Sequence, residues 1–479
     1  MPSDSDLAFT PAYQLRELIA QKQVSPVELT EASLRRIEAL NPRLNAFLTV
    51  TADAALASAR EAEQAVQRGD ALGPLHGVPT SFKDLAPTKG VRTTRGSLAY
   101  DDWVPDYDDI VVERTIGAGA VSLGKTNTPE FGLSATTENR LGDDCRNPWD
   151  TGRTSGGSSG GAAASVAAGI SSIAQGSDGG GSIRIPSGLC GVYGIKPTQG
   201  RVPRRDTGSG SWFPVNFSCQ GPIARTVRDA AIFLQVMAGP HPEAETLTIA
   251  GEPPDYVAAL DRGVRGLRVA WSPALGSAAV DPEVRESAAR AAQVFDELGA
   301  SVEEEDLELD VDHLRAAYGT IRGPKYVLDY GELLDRKGDL LMPATQQAIE
   351  RGKGITGVAL VEAMADLQRF RATVEEFFTR YDLLLTPSLA TPAFPCGEAP
   401  TVIDGRQVNP RMGFTPFTLP FNMAGNPAAS VPCGFSSGGL PIGLHIVGRW
   451  GDEAPVLAAS AAFEEVRPWA AHRPPVAGG

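Results

Sequence analysis

Residues 176–198 read GSDGGGSIRIPSGLCGVYGIKPT, and residues 156–161 upstream of them read GGSSGG. In the first stretch three consecutive glycines, Gly179, Gly180 and Gly181, precede Ser182. Glycine lets the backbone turn tightly, so that successive N–H groups can point at one place, as an oxyanion hole requires. A glycine-rich turn without a catalytic role explains the same letters equally well. Taken alone, the stretch leaves both interpretations open.

Two well-known motifs match the chain, but their local context is wrong. Residues 157–161 fit GxSxG, yet the nucleophile elbow needs a strand directly before its serine, and the preceding residues NPWDTGRTS are polar and turn-forming. Residues 119–126 fit the phosphate-loop pattern GxxxxGK[ST]. Their middle, AVSL, is typical of a strand, and Pro129 leaves little room for the required helix. The end of a structural strand is therefore favoured over nucleotide binding.

The chain offers no obvious histidine base and no metal site. Its five histidines show no HxH or HExxH spacing, so we predict no metal and no cofactor. The five cysteines are scattered without a CxxC pair and are interpreted as buried thiols. Lys83, in GVPTSFKD, follows an apolar segment, and burial of a lysine lowers its pKa until it can accept a proton. An ion pair with Asp84 is the structural alternative for Lys83.

Composition excludes several classes of function. The chain has 479 residues, 42% hydrophobic and 21% charged, with a formal net charge of -15. This negative charge repels nucleic-acid phosphates and anionic membranes, so neither is an expected partner. The N-terminal residues MPSDSDLAFTPAYQ have no basic and apolar signal-peptide pattern, and no later run of about 20 apolar residues could span a bilayer. We expect a cytoplasmic protein.

Helical and strand patterns alternate along the chain, which predicts an α/β fold. Ser25, Pro26 and Glu28 form a capping-box start for a helix, and a second, alanine-rich helix is predicted over residues 52–68. Residues 240–380 are richer in charge and in helical pattern than the rest. We predict one domain over residues 1–479, in which about 240–380 form a variable, helix-rich substrate region.

Several stretches, taken together and in order, resemble the amidase signature family. The resemblance covers most of the chain except about residues 240–380, and is carried by GPLHGVPTSFKD (73–84), GAVSLGKTNTPEFG (119–132), NPWD (147–150), GGSSGG (156–161), GSDGGGSIRIPSGLCGVYGIKPT (176–198), GPIARTVRDAA (221–231) and NMAGNPAASVPCGFSSGGLPIGLHIVGR (422–449). It implies the amidase-signature fold, with a large, mixed, twisted β-sheet covered by helices on both faces.

The same resemblance implies a catalytic triad without histidine. Ser182 would be the nucleophile, Ser158 the bridging serine behind a cis peptide bond, and Lys83 the base. The implied oxyanion hole uses backbone N–H groups of Gly179, Gly180, Gly181 and Ser182. The implied supporting residues, which would fix the two serine loops, are Ser159, Asp178 and Arg184. The chain departs from the family pattern at three positions. Ser155 stands where proline is common, Gly179 where threonine or another larger residue is common, and His445 where glutamine is common.

The function implied is a stand-alone hydrolase that cleaves amide C–N bonds through an acyl-enzyme, with anilides, carbamates and esters as further substrate classes. The partner expected is a small-molecule amide, and a homodimer is the assembly considered. The alternative is the glutamine-hydrolysing component of an aminoacyl-tRNA amidotransferase, its A subunit, but the tyrosine-rich segment of that protein is not recognised between residues 310 and 380. A nucleotide binder using residues 119–126 is the third hypothesis.

Overall fold

The computed structural model describes residues 4–205 and 215–478. Thirteen strands occur in these ranges: β1 Phe47–Val50, β2 Pro79–Lys83, β3 Val121–Thr126, β4 Ile173–Asp178, β5 Tyr193–Lys196, β6 Cys219–Ala224, β7 Arg268–Trp271, β8 Ser301–Glu304, β9 Leu383–Pro387, β10 Val402–Ile403, β11 Arg406–Gln407, β12 Ala428–Phe435 and β13 Pro441–Gly448. Eleven of them form one sheet in the order β1-β3-β2-β4-β6-β5-β12-β13-β9-β7-β8, while β10 and β11 pair separately.

The large sheet is mixed. Strand β2 pairs in parallel with both β3 and β4, and β7 pairs in parallel with β8 and β9. The remaining neighbours, including the long hairpin of β12 and β13, are antiparallel. Because the three parallel strands β2, β3 and β4 end at the same edge, residues at their carboxyl ends lie close together. This edge carries the candidate site.

Helices cover both faces of the sheet. They are α1 Asp4–Phe9, α2 Ala12–Ala20, α3 Pro26–Leu44, α4 Ala52–Arg68, α5 Ile110–Gly117, α6 Gly160–Ala167, α7 Arg184–Cys190, α8 Val227–Met237, α9 Tyr256–Ala259, α10 Pro282–Glu297, α11 Val311–Lys337, α12 Pro343–Lys353, α13 Gly357–Arg380, α14 Leu419–Ala424 and α15 Ala454–Val466. In β9, Leu383 and Leu385 join a core with residues of α8, α10 and α15, whereas Leu384 joins a second core with α11, α13 and α14. Alternate side chains of one strand thus enter two separate apolar layers, which confirms the predicted fold class.

One predicted helix start and one predicted helix end are confirmed in detail. Ser25 Oγ accepts hydrogen bonds from the N–H groups of Val27 and Glu28, and the Glu28 carboxylate accepts one from the Ser25 N–H, so the capping box is complete. The alanine-rich helix α4 covers residues 52–68 and stops at Gly69, whose φ of 79° is the left-handed conformation that favours glycine.

The phosphate-loop lookalike is a buried strand. Residues 121–126 form β3, and the Lys125 side chain donates to Ala86 O and, at 2.8 Å, to Thr88 Oγ1. The Lys125 side chain is fully buried, so its amino group cannot reach the phosphate of a bound nucleotide. The interpretation of this motif as a structural strand end is confirmed. Residues 154–159, before and at the GxSxG serine, form a loop and no strand, so the hydrolase elbow is absent there.

The helix-rich region 240–380 contributes strands to the large sheet as well as helices. Two of its segments, β7 and β8, extend the large sheet at one edge, and α10 packs against β8 and the nearby strands β9, β12 and β13. Helices α12 and α13 both pack on the long helix α11. No helix within residues 4–205 and 215–478 is long and apolar enough to cross a membrane.

Candidate active site

Lys83 is the last residue of β2, a strand that is buried along its whole length. Its Nζ atom lies 2.7 Å from Ser158 Oγ and donates a hydrogen bond to it. The same amino group lies 3.1 Å from Ser177 Oγ and 3.4 Å from Ser177 O, near the end of β4. The parallel pairing of β2 with β4 explains why these residues meet, since Phe82 stands opposite Gln175 in the register. No ion pair joins Lys83 to Asp84 in the described chain, because Asp84 turns away and accepts from Thr94 instead.

Burial changes the protonation of Lys83. Removal of the side chain from water lowers its pKa from about 10.5 to about 7, and the negative charge of Asp178 only partly opposes this effect. At neutral pH a large share of the Lys83 population is therefore uncharged and able to accept a proton. A nearly unperturbed lysine could not do so at this pH.

The loop GGSSGG brings two serines to the same place. The peptide bond between Gly157 and Ser158 is cis, and Ser158 is buried at 2% exposure beside Lys83. A Cβ on Gly157 would lie only 2.5 Å from Thr136 O, so no larger residue fits there. Ser159 Oγ donates to Ser177 O at 3.1 Å and accepts from Ser177 N at 3.2 Å, which ties this loop to β4.

Ser182 lies on the second loop, between β4 and α7. Between residues 170 and 190 the only partly exposed residues are Ser177, Gly179, Gly180 and Ser182. They form the accessible floor of the site, and the loop is joined to the first one by the hydrogen bond from Ser159 N to Ser182 O at 3.1 Å. In the described part of the chain no hydrogen bond links Ser182 Oγ to Ser158 Oγ. Such contacts are often long in the free enzyme and tighten when substrate binds.

The glycine loop has free donors, but Gly181 differs from its prediction. Its N–H donates to Asp178 Oδ1 at 2.7 Å and is therefore occupied within the protein. Within the described ranges, the N–H groups of Gly179, Gly180 and Ser182 have no hydrogen-bond acceptor. Gly181 is needed for a different reason: its φ is 128°, and a Cβ there would lie 2.3 Å from Thr418 Oγ1.

Asp178 and Arg184 form a fully buried ion pair behind the loop. Arg184 Nη2 lies 3.0 Å from Asp178 Oδ1, and Arg184 Nε lies 3.0 Å from Oδ2. Burial by itself disfavours the charged carboxylate, but Arg184, together with Asn422, outweighs it and holds the pKa of Asp178 well below its usual range. Because Asp178 also accepts from Gly181 and Ile183, this pair sets the shape of the glycine loop.

His445 extends the same network. Arg184 Nη1 lies 3.0 Å from His445 Nε2, and since a guanidinium only donates, Nε2 is the acceptor. The ring proton is then on Nδ1, 3.3 Å from Thr386 Oγ1, whose own hydroxyl donates to Pro387 O at 2.8 Å. Burial and the neighbouring Arg184 hold the pKa of His445 well below its usual value, so the ring stays neutral. His445 thus offers the acceptor that a glutamine side chain would offer.

This role predicts different results for two substitutions. His445→Gln keeps an acceptor for Arg184 and should leave the free energy of unfolding within about 1 kcal/mol, whereas His445→Leu removes it and should cost about 1–3 kcal/mol. Urea unfolding at pH 7.5 measures both.

Because the pKa of His445 is lowered on folding, its contribution to stability is lost as the pH falls below about 6.5. His445→Gln should reduce this loss, and an unchanged acid dependence would contradict the assignment.

Sequence reasoning missed several residues of the site. Ser177, whose hydroxyl lies against Lys83 Nζ, stands within the glycine-rich stretch, but no motif gives it a role. Asn422 donates to Asp178 O and Oδ1 at 2.9 and 2.8 Å. It comes from the distant tail of the chain, and only tertiary structure brings it close. Tyr318 on α11 donates to Gly179 O at 2.7 Å, and its region carries no motif that could have indicated this contact.

Within the described residues, no group of three His, Cys, Asp or Glu could hold a metal ion.

Comparison with known proteins agrees with this geometry. The sequence model of the family described as Amidase matches residues 28–457. The chain is 40% identical to an acylamidase of Rhodococcus erythropolis, with 98% of each chain covered. It is 39% identical to the A subunit of a glutamyl-tRNA(Gln) amidotransferase of Moorella thermoacetica, with 98% of this chain and 99% of that one covered. Its fold is similar to the crystal structure of a bacterial aryl acylamidase of the amidase signature family, with a TM-score of 0.91, 34% identity and 96% and 97% of the two chains covered.

The chain therefore belongs to the amidase family, and the predicted resemblance is confirmed. It is a hydrolase of the C–N bonds of amides.

Proposed function

We propose that Ser182 attacks the amide carbonyl and that Lys83 and Ser158 activate it. The single observation that carries this proposal is the buried Lys83 Nζ, 2.7 Å from Ser158 Oγ, with its pKa lowered to about 7. Neutral Lys83 takes the proton of Ser158, which takes that of Ser182 as the Ser182 Oγ–C bond forms. The proton then returns by the same route to the leaving nitrogen when the C–N bond breaks. Water attacks the acyl-enzyme in the reverse sense, releasing the carboxylic acid and restoring Ser182.

The negative oxygen of the tetrahedral intermediate is held by backbone N–H groups. We assign this role to Gly179, Gly180 and Ser182, whose N–H groups have no acceptor in the described part of the chain. Gly181 supports the loop, because its N–H is held by Asp178. Loss of one such donor in other hydrolases costs about 10²–10³ in kcat. Asp178, Arg184 and Ser159 act as positioning residues that keep the loop in shape.

The proposed substrates are small carboxylic amides hydrolysed without a partner protein. Similarity to an acylamidase and the fold match to an aryl acylamidase support this choice. We expect anilides to be the best substrates, with carbamates and esters as further classes. The comparable identity to an amidotransferase A subunit keeps glutamine hydrolysis as the alternative. Either activity would use the same serine and lysine.

A substrate panel decides between the two. The purified chain alone should release amine from aryl amides and ammonia from aliphatic amides at rates well above any release of ammonia from glutamine. The panel should contain anilides, aliphatic amides, peptide amides, carbamates, esters and glutamine. Glutaminase activity that appears only with a co-purifying protein would contradict a stand-alone function. Addition of a chelator should leave the rates unchanged.

We further propose that the whole chain works as one amidase domain and that residues 240–380 shape the substrate pocket. Strands from residues 47 to 448 build one continuous sheet, which supports the first point. The contact of Tyr318 with Gly179 supports the second. A cytoplasmic location and a homodimer stay predictions from the sequence.

A further inference from the structure

Helix α11 places a guanidinium group directly over the glycine loop of the candidate site. A Cβ built on Gly179 would lie 3.3 Å from Arg322 Nη1 and 3.8 Å from Tyr318 Oη. A side chain at position 179 would therefore crowd the Arg322 guanidinium. Gly179 is partly exposed and stands three residues before Ser182, so the guanidinium lies beside the loop that carries the proposed nucleophile.

The guanidinium is held in place by aromatic side chains. Arg322 Nη1 donates to Tyr318 Oη, and that hydroxyl donates to Gly179 O at 2.7 Å. The Arg322 Cζ atom lies 4.9 Å from the centre of the Tyr326 ring and 5.3 Å from that of Tyr318, within the range of a cation–π contact. Tyr318 itself stacks on Phe217 at 5.1 Å. Such a fixed group loses little conformational entropy when it binds a ligand.

Arg322 has no acidic partner within the described ranges. No carboxylate of residues 4–205 and 215–478 forms an ion pair with it, whereas the nearby Lys325 pairs with Asp329 at 2.7 Å. Burial raises the pKa of Tyr326, so this phenol stays neutral and is not a counterion. Tyr318 Oη is the one hydrogen-bond acceptor for Arg322 that the described residues provide. Of the five guanidinium N–H donors of Arg322, the described residues provide an acceptor for one.

We propose that Arg322 binds a carboxylate group of the substrate, so that the enzyme prefers amides that carry a carboxylate beside the scissile bond. The inference rests on the proposed function, because it assigns the specificity of the same site. A guanidinium presents parallel N–H donors that match the two oxygens of a carboxylate. Because the net charge of -15 repels anions at long range, recognition of an anionic substrate calls for a local cation of this kind.

Matched pairs of substrates test this inference. The N-phenyl monoamides of malonic, succinic and glutaric acid vary the distance from the carboxylate to the scissile bond, and each is compared with the analogue that has a carboxamide in its place. N-Acetyl-4-aminobenzoate and N-acetyl-4-aminobenzamide place the same difference on the leaving group. Release of the aromatic amine is measured in every case. In the wild-type enzyme, at least one carboxylate should exceed its partner about tenfold in kcat/KM.

Two variants separate recognition from support. Arg322→Met, similar in size and uncharged, should lower kcat/KM for the preferred carboxylate by about 10–100-fold, as expected for loss of hydrogen bonds to a charged group, and change the neutral partner by less than about threefold. Tyr318→Phe keeps the guanidinium and loses the hydroxyl bound to Gly179 O, so it should lower both members of a pair alike. Thermal unfolding checks that each variant is folded.

The outcomes are distinct. Equal losses for both members of every pair in Arg322→Met would overturn the proposal, since Arg322 would then act only through Tyr318. Equal rates within all pairs in the wild-type enzyme would overturn it too, and this comparison needs no variant. A wild-type enzyme that hydrolyses the neutral amides without discrimination leaves the proposed function intact. An enzyme that hydrolyses no amide of either kind contradicts the proposed function itself.

Discussion

Replacement of Ser182 by alanine should lower kcat/KM for any amide substrate by about 10⁴-fold or more, because it removes the atom that becomes acylated. The same variant should no longer be labelled by a fluorophosphonate, which reacts with activated serines. Steady-state kinetics and the mass of the intact protein after labelling measure these two effects. The fold should be unchanged, since Ser182 Oγ has no hydrogen-bond partner in the described part of the chain.

A matched control lies in the next helix. Ser187 of α7 is also a serine of the same stretch, fully buried, and its Oγ has no hydrogen-bond partner within the described residues. Ser187→Ala should retain activity within about twofold. Activity of Ser182→Ala within about tenfold of the wild-type value, or continued labelling, would sink the assignment of the nucleophile.

Replacement of Lys83 by methionine should cost about 10²–10⁴-fold in kcat/KM, the range typical of a lost general base. Methionine has a similar length and no charge, so the variant removes proton transfer with little change in volume. The wild-type profile should rise with pH through about 7 and level off above it, because the neutral form is active and the pKa of Lys83 is lowered to about 7 by burial. This acid limb should be absent from the residual activity of the variant. A wild-type kcat/KM that is constant between about pH 5 and 9 would contradict the role of Lys83.

The same pKa shift has a signature in stability. Between about pH 7 and 10.5 the unfolded chain binds a proton at Lys83 that the folded chain does not, so the free energy of unfolding rises with pH over this window. Urea unfolding should show a smaller rise in Lys83→Met than in the wild-type protein. Lys125→Met is the control for a buried lysine outside the site: it should change stability and leave the acid limb of the rate profile in place.

A structural feature could be predicted from the sequence when residues close to it in the chain determine it. The helix starting at Ser25 and the strand at residues 121–126 were predictable because capping and β-propensity depend on neighbours in the chain. The resemblance to the amidase signature family named Lys83, Ser158 and Ser182, and the apolar segment before Lys83 indicated a lowered pKa. The 2.7 Å contact of Lys83 with Ser158 and the size of the pKa shift arise from tertiary burial, which no local pattern gives.

Other features were beyond local patterns for the same reason. The use of the Gly181 N–H depends on where the Asp178 carboxylate points, and the acceptor role of His445 depends on a partner 261 residues away. The guanidinium over Gly179 comes from a segment that the motifs do not cover. Long-range contacts of this kind decide which of several chemically possible roles a residue takes.

The proposed catalytic residues and the proposed carboxylate-binding arginine lie on different parts of the fold, which affects how new activities could arise in this protein. Lys83 ends strand β2, and the two serines of the proposed proton relay lie on the loops before α6 and after β4. The guanidinium and its two tyrosines instead belong to a single helix, α11. We therefore expect changes in α11 to alter which amides are accepted without disturbing Lys83. The hydrogen bond from Tyr318 to Gly179 O connects helix α11 to the glycine loop. A library that varies positions 322 and 326 while keeping Tyr318 should yield a larger share of active catalysts than one that varies all three.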